Sequence, residues 1–441
     1  MGDILFLAHR IPWPPDKGDK IRSWHMLRHL AERTRVHLGA FVDDPADMAH
    51  LPFLESLCAS VKLLPIGSGP HRAARAARGL LTGAPLSVAL FADPAMRAWV
   101  DTTVAGQPIT GVFAFSGQMA PYILPHTRGR RTVMDFVDLD SEKWAQYAAE
   151  SHGPRAWLYA REARRLLGFE AMVAARVDAT LFVSEDEAAL FRARAGAGAG
   201  RVHALSNGVD LEYFRPDYDC ARPGPHRPFG APLLEGEVRL TSPSRGGGGA
   251  ADGGGVGPTF VLVGAMDYRP NIDAARWFAD AVWPTVRAAL PDPRFLIVGS
   301  KPTAEVQALG QRPGIEVTGR VPDVRPYVAA ATVVVAPLRI ARGIQNKVLE
   351  AMAMARPIVA TPQAREGIDA QPGRDLLVEA DAPAFAQACL ALAADPVRAA
   401  ALGQAARARA VARYAWAPNL RILDTLLLEG AGAQTTAAEA A

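Results

Sequence analysis

The chain has 441 residues, enough for two or three domains of about 150 residues each, and 49% of them are hydrophobic, ample for large cores. Its 48 basic and 45 acidic side chains leave a net charge of +3, too balanced to imply nucleic acid as a partner. Three widely spaced cysteines, Cys58, Cys220 and Cys389, form no metal-binding spacing and argue for a reducing compartment. No charged leader followed by a long apolar run is visible, and no apolar run reaches the ~20 residues of a membrane span. The expectation is a cytosolic protein, with peripheral contact at the inner face of a membrane left open.

In chain order, the first expected strand is Ile4–Ala8. A Pro-rich loop from Ile11 to Lys20 follows, then a helix from about Ile21 to Arg33 with Trp24, Leu27 and Leu30 at helical spacing. Further strands are expected at Val36–Phe41, Val61–Leu64, Gly111–Phe115, Thr132–Phe136 and Thr180–Val183. Helical patterns between several of them argue for a parallel sheet covered on both faces. The Lys17-Gly18-Asp19-Lys20 loop leaves the carboxyl end of the first strand, where ligands bind in such sheets. Gly18 permits close backbone approach, and Lys17, Lys20 and Arg22 supply charge at a helix start. A solvated turn capped by Asp19 is the plainer alternative. His9 and His25 are isolated histidines with no partner pattern and read as packing or surface residues.

Two Arg-rich helical stretches, His71–Leu81 and Arg155–Arg176, interleave Leu80, Leu81, Trp157, Leu158, Leu166, Leu167 and Phe169. Such surfaces suit either solvent or anionic lipid. Ser206-Asn207-Gly208-Val209-Asp210 carries turn chemistry. From about Asp219 to Pro258 the chain is rich in Gly, Pro, Arg and Ser and reads as a flexible insertion. A second alternating unit then begins: strand Thr259–Gly264, an amphipathic helix from Ile272 to Leu290, and strands Arg294–Gly299, Ile315–Thr318 and Val333–Ala336.

After that last strand comes Arg342-Gly343-Ile344-Gln345-Asn346-Lys347-Val348-Leu349-Glu350, read as a glycine-bearing loop opening a helix. The first-turn N–H groups of a helix are unpaired and its dipole favours negative charge there. Lys347 is a cation in that first turn, unfavourable to the dipole unless an anion is bound. Glu350, three residues on, projects from the same face. A cation and a carboxylate beside an anion site suit a phosphate and a ribose hydroxyl pair. No Gly-x-Gly-x-x-Gly fingerprint follows the first strand, and there is neither a serine nucleophile elbow nor a zinc spacing.

The stretch from Arg342 through Glu350, Ala351-Met352-Ala353, the Ala355-Arg356-Pro357 turn and the Ile358-Val359-Ala360 strand resembles the signature of family 4 glycosyltransferases of the GT-B fold. The resemblance implies an α/β protein with two Rossmann-like, doubly wound domains facing across a cleft. Residues 1–206 are then an acceptor-binding domain and 207–258 a hinge with a flexible insertion. Residues 259–412 are the nucleotide-sugar donor domain, 413–430 a helix returning to the first domain, and 431–441 a disordered tail. Glu350 matches the glutamate that holds the ribose. Arg342 stands where the pattern has its first glutamate, and Ala355 where it has a turn glycine. If Ala355 is left-handed, it costs roughly 1 kcal/mol.

The resemblance further implies that Gly18, Lys17, Gly264, Arg269, Arg320, Val321, Arg339, Gly343, Ile344, Gln345, Asn346, Lys347 and Glu350 bind the donor. Arg269 replaces the arginine expected after Gly264, and Asn271 caps the next helix. Arg339, Arg342 and Lys347 neutralise a leaving diphosphate. The acidic segment from Val133 to Trp144 leaves a strand end where the family places a residue near the acceptor hydroxyl. Asp138 is the first candidate there and Asp135 the second, a carboxylate that orients or deprotonates that hydroxyl. A helix cap by Asp140 or Ser141 is the plainer reading. The Asp138-Leu139-Asp140 triplet mimics a metal motif, but two Rossmann-like units are the wrong scaffold for it.

His9-Arg10-Ile11-Pro12, Pro15–Lys20, Asp135–Trp144 and Pro337–Gly343 are closer still to the sugar transferase associated with bacterial exosortase (PEP-CTERM) and exopolysaccharide systems. That implies retaining, metal-independent transfer from a nucleotide sugar to a growing or polyprenyl-linked glycan, with no cofactor beyond the donor. A non-catalytic nucleotide-sugar-binding GT-B protein and a nucleotide-sugar epimerase remain alternatives, and an NAD-dependent dehydrogenase is a poor third.

Overall fold

A computed structural model describes residues 2–15, 18–67, 69–196, 200–218, 257–341 and 343–429. The expectations for Lys17, Arg342, Cys220, most of the Gly/Pro-rich insertion and the tail lie outside these residues. The chain divides into two compact units, Met1–Ser206 with Ala417–Ala441, and Asn207–Trp416.

The first unit holds a seven-stranded parallel sheet. Its strands are β1 (Asp3–Ala8), β2 (Val36–Val42), β3 (Ser60–Pro65), β4 (Ile109–Phe115), β5 (Arg131–Val137), β6 (Ala179–Phe182) and β7 (Val202–Ala204). Their spatial order is β3-β2-β1-β4-β5-β6-β7, so the winding direction reverses between β1 and β4. Every residue of β1 is buried, as a central strand covered on both faces must be. Leu5, Leu7, Phe41, Val112, Ala114 and Met134 share one core cluster on a face of this sheet. The helix Trp416–Leu423 and the π turn Asp424–Leu428 bring the chain back to this unit. Leu427 reaches Gly111 of β4, Arg131 donates to the Thr425 carbonyl at 3.0 Å, and His29 bonds Asp424 at 2.8 Å.

The second unit holds a six-stranded sheet of β8 (Thr259–Val263), β9 (Arg294–Val298), β10 (Ile315–Gly319), β11 (Val333–Ala336), β12 (Ile358–Ala360) and β13 (Leu377–Val378). The order is β10-β9-β8-β11-β12-β13, again parallel, with the reversal between β8 and β11. The expected single helix over 272–290 is broken. It runs Arg269–Trp277, loosens to a π turn over Phe278–Val282, and resumes at Trp283–Ala289. Pro284 lies in the resumed helix and has no N–H to donate, which is a recognised cause of such a break. Phe278 stays in the core, its ring centroid 4.4 Å from that of Phe295. Among the described residues no single helix is long and apolar enough to cross a membrane.

Candidate functional site

Each sheet presents its reversal point as a candidate site, because the loops leaving two neighbouring strands there part in opposite directions. In the second unit the loops are Gly264-Ala265-Met266 after β8 and Pro337–Gln345 after β11. Glycine is required at the floor: a Cβ on Gly299, at φ +156°, would lie 1.6 Å from the Gly264 carbonyl oxygen. Thr361 anchors the β11 loop by donating its hydroxyl to the Leu338 carbonyl. Gly343 is buried and left-handed at φ 66°, and turns the chain into the helix Asn346–Ala353. The cap position is Gln345, whose side chain makes no capping bond and instead donates to the Gly343 carbonyl at 3.2 Å. Among the described residues the first turn therefore lacks a side-chain cap, the condition under which a helix start takes an external anion.

Lys347, half-buried in that turn, donates to the Asn271 side-chain carbonyl. Asn271 in turn donates to the Ala265 carbonyl at 2.9 Å. Asn271 is therefore no helix cap, contrary to expectation. Tyr268 occupies the cap position, and Asn271 is a buried strut tying the β8 loop to Lys347. Burial pulls the Lys347 pKa down to about 8, and nearby Glu350 pulls the other way. Asn346 accepts from Asn207 at 3.2 Å.

Gly264, Gly343, Ile344, Gln345, Asn346, Lys347 and Glu350 thus cluster on the two loops and the helix that open this reversal point. The remaining candidates sit differently. Arg339 is exposed and gives its guanidinium to Asp273 at 2.5 and 3.0 Å. Arg269 is exposed at the start of its helix. Arg320 and Val321 follow the edge strand β10, two strands from β8. In the same loop Asp323 holds Arg325, whose guanidinium lies 3.7 Å from the Tyr213 ring centroid and 4.7 Å from that of Tyr218.

In the first unit two non-glycine residues are left-handed where β4 and β5 end: Ser116 at φ 75° and Val137 at φ 71°. Strain of this kind persists where surrounding bonds over-determine it, and collects at functional sites. Asp135 supplies those bonds. Its carbonyl accepts from Ser116 N at 2.7 Å and its carboxylate from Val137 N at 2.9 Å. The carboxylate is fully buried and also takes Arg22 Nε at 2.8 Å, while Arg22 Nη1 donates to the Leu205 carbonyl at 2.7 Å. Arg22 and Lys20 are each 1% exposed, and Lys20 pairs with Asp47 at 2.5 Å. Neither supplies free charge to a ligand loop, which corrects the expectation for both. Their charges are spent inside the fold. Gly18 is exposed as the first residue of the helix Gly18–Ala31.

Asp138 is half-buried just beyond Val137. Burial, Glu187 and Asp140 push its pKa up to about 7 against Lys143 and Arg22. Glu187 is buried and accepts from Leu139 N at 2.8 Å. Glu170, pushed up to about 8 chiefly by burial, accepts from the Ser141 hydroxyl at 2.6 Å. The helix after Asp138 is therefore not capped by Asp140 or Ser141. Leu139 is its cap residue, and carboxylates from two other helices serve its start. His9 ends up beside this loop system, contrary to its reading as an isolated residue. Its Nε2 is 3.3 Å from Asp19, its ring stacks on Phe115 at 5.8 Å, and its buried Nδ1 has no hydrogen-bond partner among the described residues. Asn271, Glu187 and Glu170 carry no motif of their own, since each is defined by a partner on another element of the chain.

Residues 257–395, which span the second unit's candidate site, match the family of glycosyl transferases group 1. No curated protein sequence matches the chain. Sucrose-phosphate synthase from Thermosynechococcus elongatus is a similar solved structure, with a TM-score of 0.65 and 19% identity over 97% of this chain and 98% of that one. Anabaena Alr3699/HepE, solved with UDP and glucose, has a TM-score of 0.62 and 15% identity over 97% and 99%. WaaG, a glycosyltransferase involved in lipopolysaccharide biosynthesis, has a TM-score of 0.60 and 15% identity over 97% and 100%. Identities this low speak to the fold. The second unit therefore carries a glycosyl transferases group 1 domain, and the chain has the GT-B glycosyltransferase fold.

Proposed function

We propose that the protein is a retaining, metal-independent glycosyltransferase that moves a sugar from a nucleoside-diphosphate donor to a growing or lipid-linked glycan. The single observation that carries this reading is the Lys347–Asn271–Ala265 strut beside a helix start without a side-chain cap. A half-buried ammonium bonded to a neutral amide, next to such a helix start, is matched by an anion. The group 1 domain and the bound UDP and UDP-glucose in structures of the Anabaena protein support a nucleotide sugar as that anion.

In this reading Lys347 and the first-turn N–H groups take up the charge that grows on the diphosphate as the anomeric carbon–oxygen bond breaks. Glu350 bonds the ribose hydroxyls. The acceptor hydroxyl oxygen bonds to the anomeric carbon on the face the diphosphate leaves, and its proton passes to a phosphate oxygen. Asp138 orients that hydroxyl. The motifs around His9–Pro12, Pro15–Lys20 and Asp135–Trp144 support an acceptor of the exopolysaccharide type associated with exosortase systems. A nucleotide-sugar binder without turnover is the second reading, favoured by Arg342 in place of the first signature glutamate.

Thermal unfolding with UDP, GDP, ADP, CMP or NAD, alongside Glu350→Ala, tests the assignment. A ligand at 100 times its Kd adds about 2.7 kcal/mol to the native state. One nucleoside diphosphate should raise the melting temperature, and Glu350→Ala should abolish the rise. Stabilisation by NAD alone, or by none of the five, overturns it. Release of free sugar from the matching donor then separates the enzyme from the binder.

A further inference from the structure

Large apolar side chains scattered singly on a surface need no explanation, but a group ringed by one sign of charge does. Leu81 is 88% exposed, Leu80 47% and Trp157 63%. The two leucines end the helix Gly69–Thr82, and Trp157 lies in the first turns of the helix Gly153–Ala174. The helices meet at this place. Arg161 donates to the carbonyls of Gly79 and Ala84, each at 3.3 Å, and the Arg165 guanidinium lies 3.6 Å from where a Gly83 Cβ would stand. Trp157 is one turn before Arg161 on the same helical face. The three apolar side chains thus belong to one surface of the first unit.

The charge around them is mainly of one sign. Arg78, Arg155, Arg164 and Arg165 are exposed. No acidic residue occurs from Val61 to Ala92, nor from Ser151 to Arg161. Glu150, just before the second helix, is exposed and accepts from Gln146 at 3.4 Å, whereas Glu162 and Asp93 are turned inward. Glu162 is 2% exposed and accepts from Leu86 N, Ser87 N and the Ser87 hydroxyl, each at 2.8 Å, while Asp93 pairs with Arg75 at 2.6 Å. Exposed leucines and a tryptophan among four exposed arginines, with Glu162 and Asp93 internally satisfied, match the interface of an anionic bilayer. There apolar side chains enter the acyl boundary, Trp settles at headgroup level and Arg pairs with lipid phosphate.

We propose that this surface docks the protein on an anionic phospholipid membrane. The inference does not rest on the transferase reading, because docking needs neither donor nor turnover. The test is co-sedimentation of the full-length protein with sucrose-loaded vesicles of phosphatidylcholine alone, or with phosphatidylglycerol at about a third of the lipid. Wild type should sediment with the anionic vesicles, not with the neutral ones, and less as salt rises. The double variant Leu81→Ser/Trp157→Ala should bind the anionic vesicles at least about tenfold more weakly, and Arg78→Ser/Arg164→Ser should both weaken binding and flatten its salt dependence. All four side chains are exposed, so the melting temperature should not move. Val397→Ser, at an exposed position of the second unit, should bind as wild type. Failure of wild type to sediment with anionic vesicles overturns the proposal. So does equal binding by Leu81→Ser/Trp157→Ala, and the surface would then face solvent or a protein.

Discussion

Lys347 carries charge into a half-buried place where its hydrogen bond goes to a neutral amide. Its pKa is lowered from 10.5 to about 8. Between those values the unfolded chain binds more protons than the folded one, so this residue's contribution to stability falls as pH drops through that window. At neutral pH the charge is a cost that a bound anion offsets. Lys347→Gln should stabilise the ligand-free protein by about 1–2 kcal/mol in denaturant unfolding and remove stabilisation by nucleotide. Asp138 is displaced the other way, up to about 7. If Asp138 acts ionised and Lys347 protonated, kcat/KM should rise through about pH 7 and fall through about pH 8, since that ratio reports the free enzyme. Glu187→Gln removes a like charge and should move the acid limb to lower pH. An unmoved limb would release Asp138 from its role. Arg22 and Asp135 form a fully buried pair, so Arg22→Ala should cost about 3–5 kcal/mol by leaving a carboxylate unpaired inside the protein.

At the scale of elements, the signature helix ends as its sequence implies. Ala355 is left-handed at φ 52°, and Arg356 N donates to the Ala351 carbonyl at 3.0 Å, closing the helix. Ala355→Gly should raise stability by about 0.5–1 kcal/mol, measured as a shift in denaturant midpoint. The central strands were legible because they are continuous apolar runs of β-branched and aromatic residues. β7 and β13, of three and two residues, were not, since runs that short carry no period. The break in the 269–289 helix had one visible sign, Pro284, but the amphipathic pattern runs through it. The signature helix start was legible because glycine, lysine and glutamate at fixed offsets act through local backbone geometry. Asn271 and Glu187 were not, because the side chain or N–H each one holds comes from another element of the chain.

For the whole molecule, residues 417–429 belong to the first unit, where Leu420, Leu423 and Leu427 are 2%, 0% and 3% exposed. A chain ending at Trp416 should lose roughly 5 kcal/mol or more from the first unit, seen as an earlier calorimetric transition. Nucleotide stabilisation of the second unit should survive. If both losses coincide, the units do not unfold separately. The sequence by itself determined two alternating α/β units and a glycine-bearing loop that opens a helix at residues 343–350, because periodicity and helix-end chemistry act over a few residues. Only the tertiary structure decided which charges are free to act. Arg22 and Asp135 are 113 residues apart in sequence and neutralise each other, Arg339 is taken by Asp273, and His9 is brought beside Asp19. A charge is available or consumed according to what packs against it, and packing is a property of the closed fold.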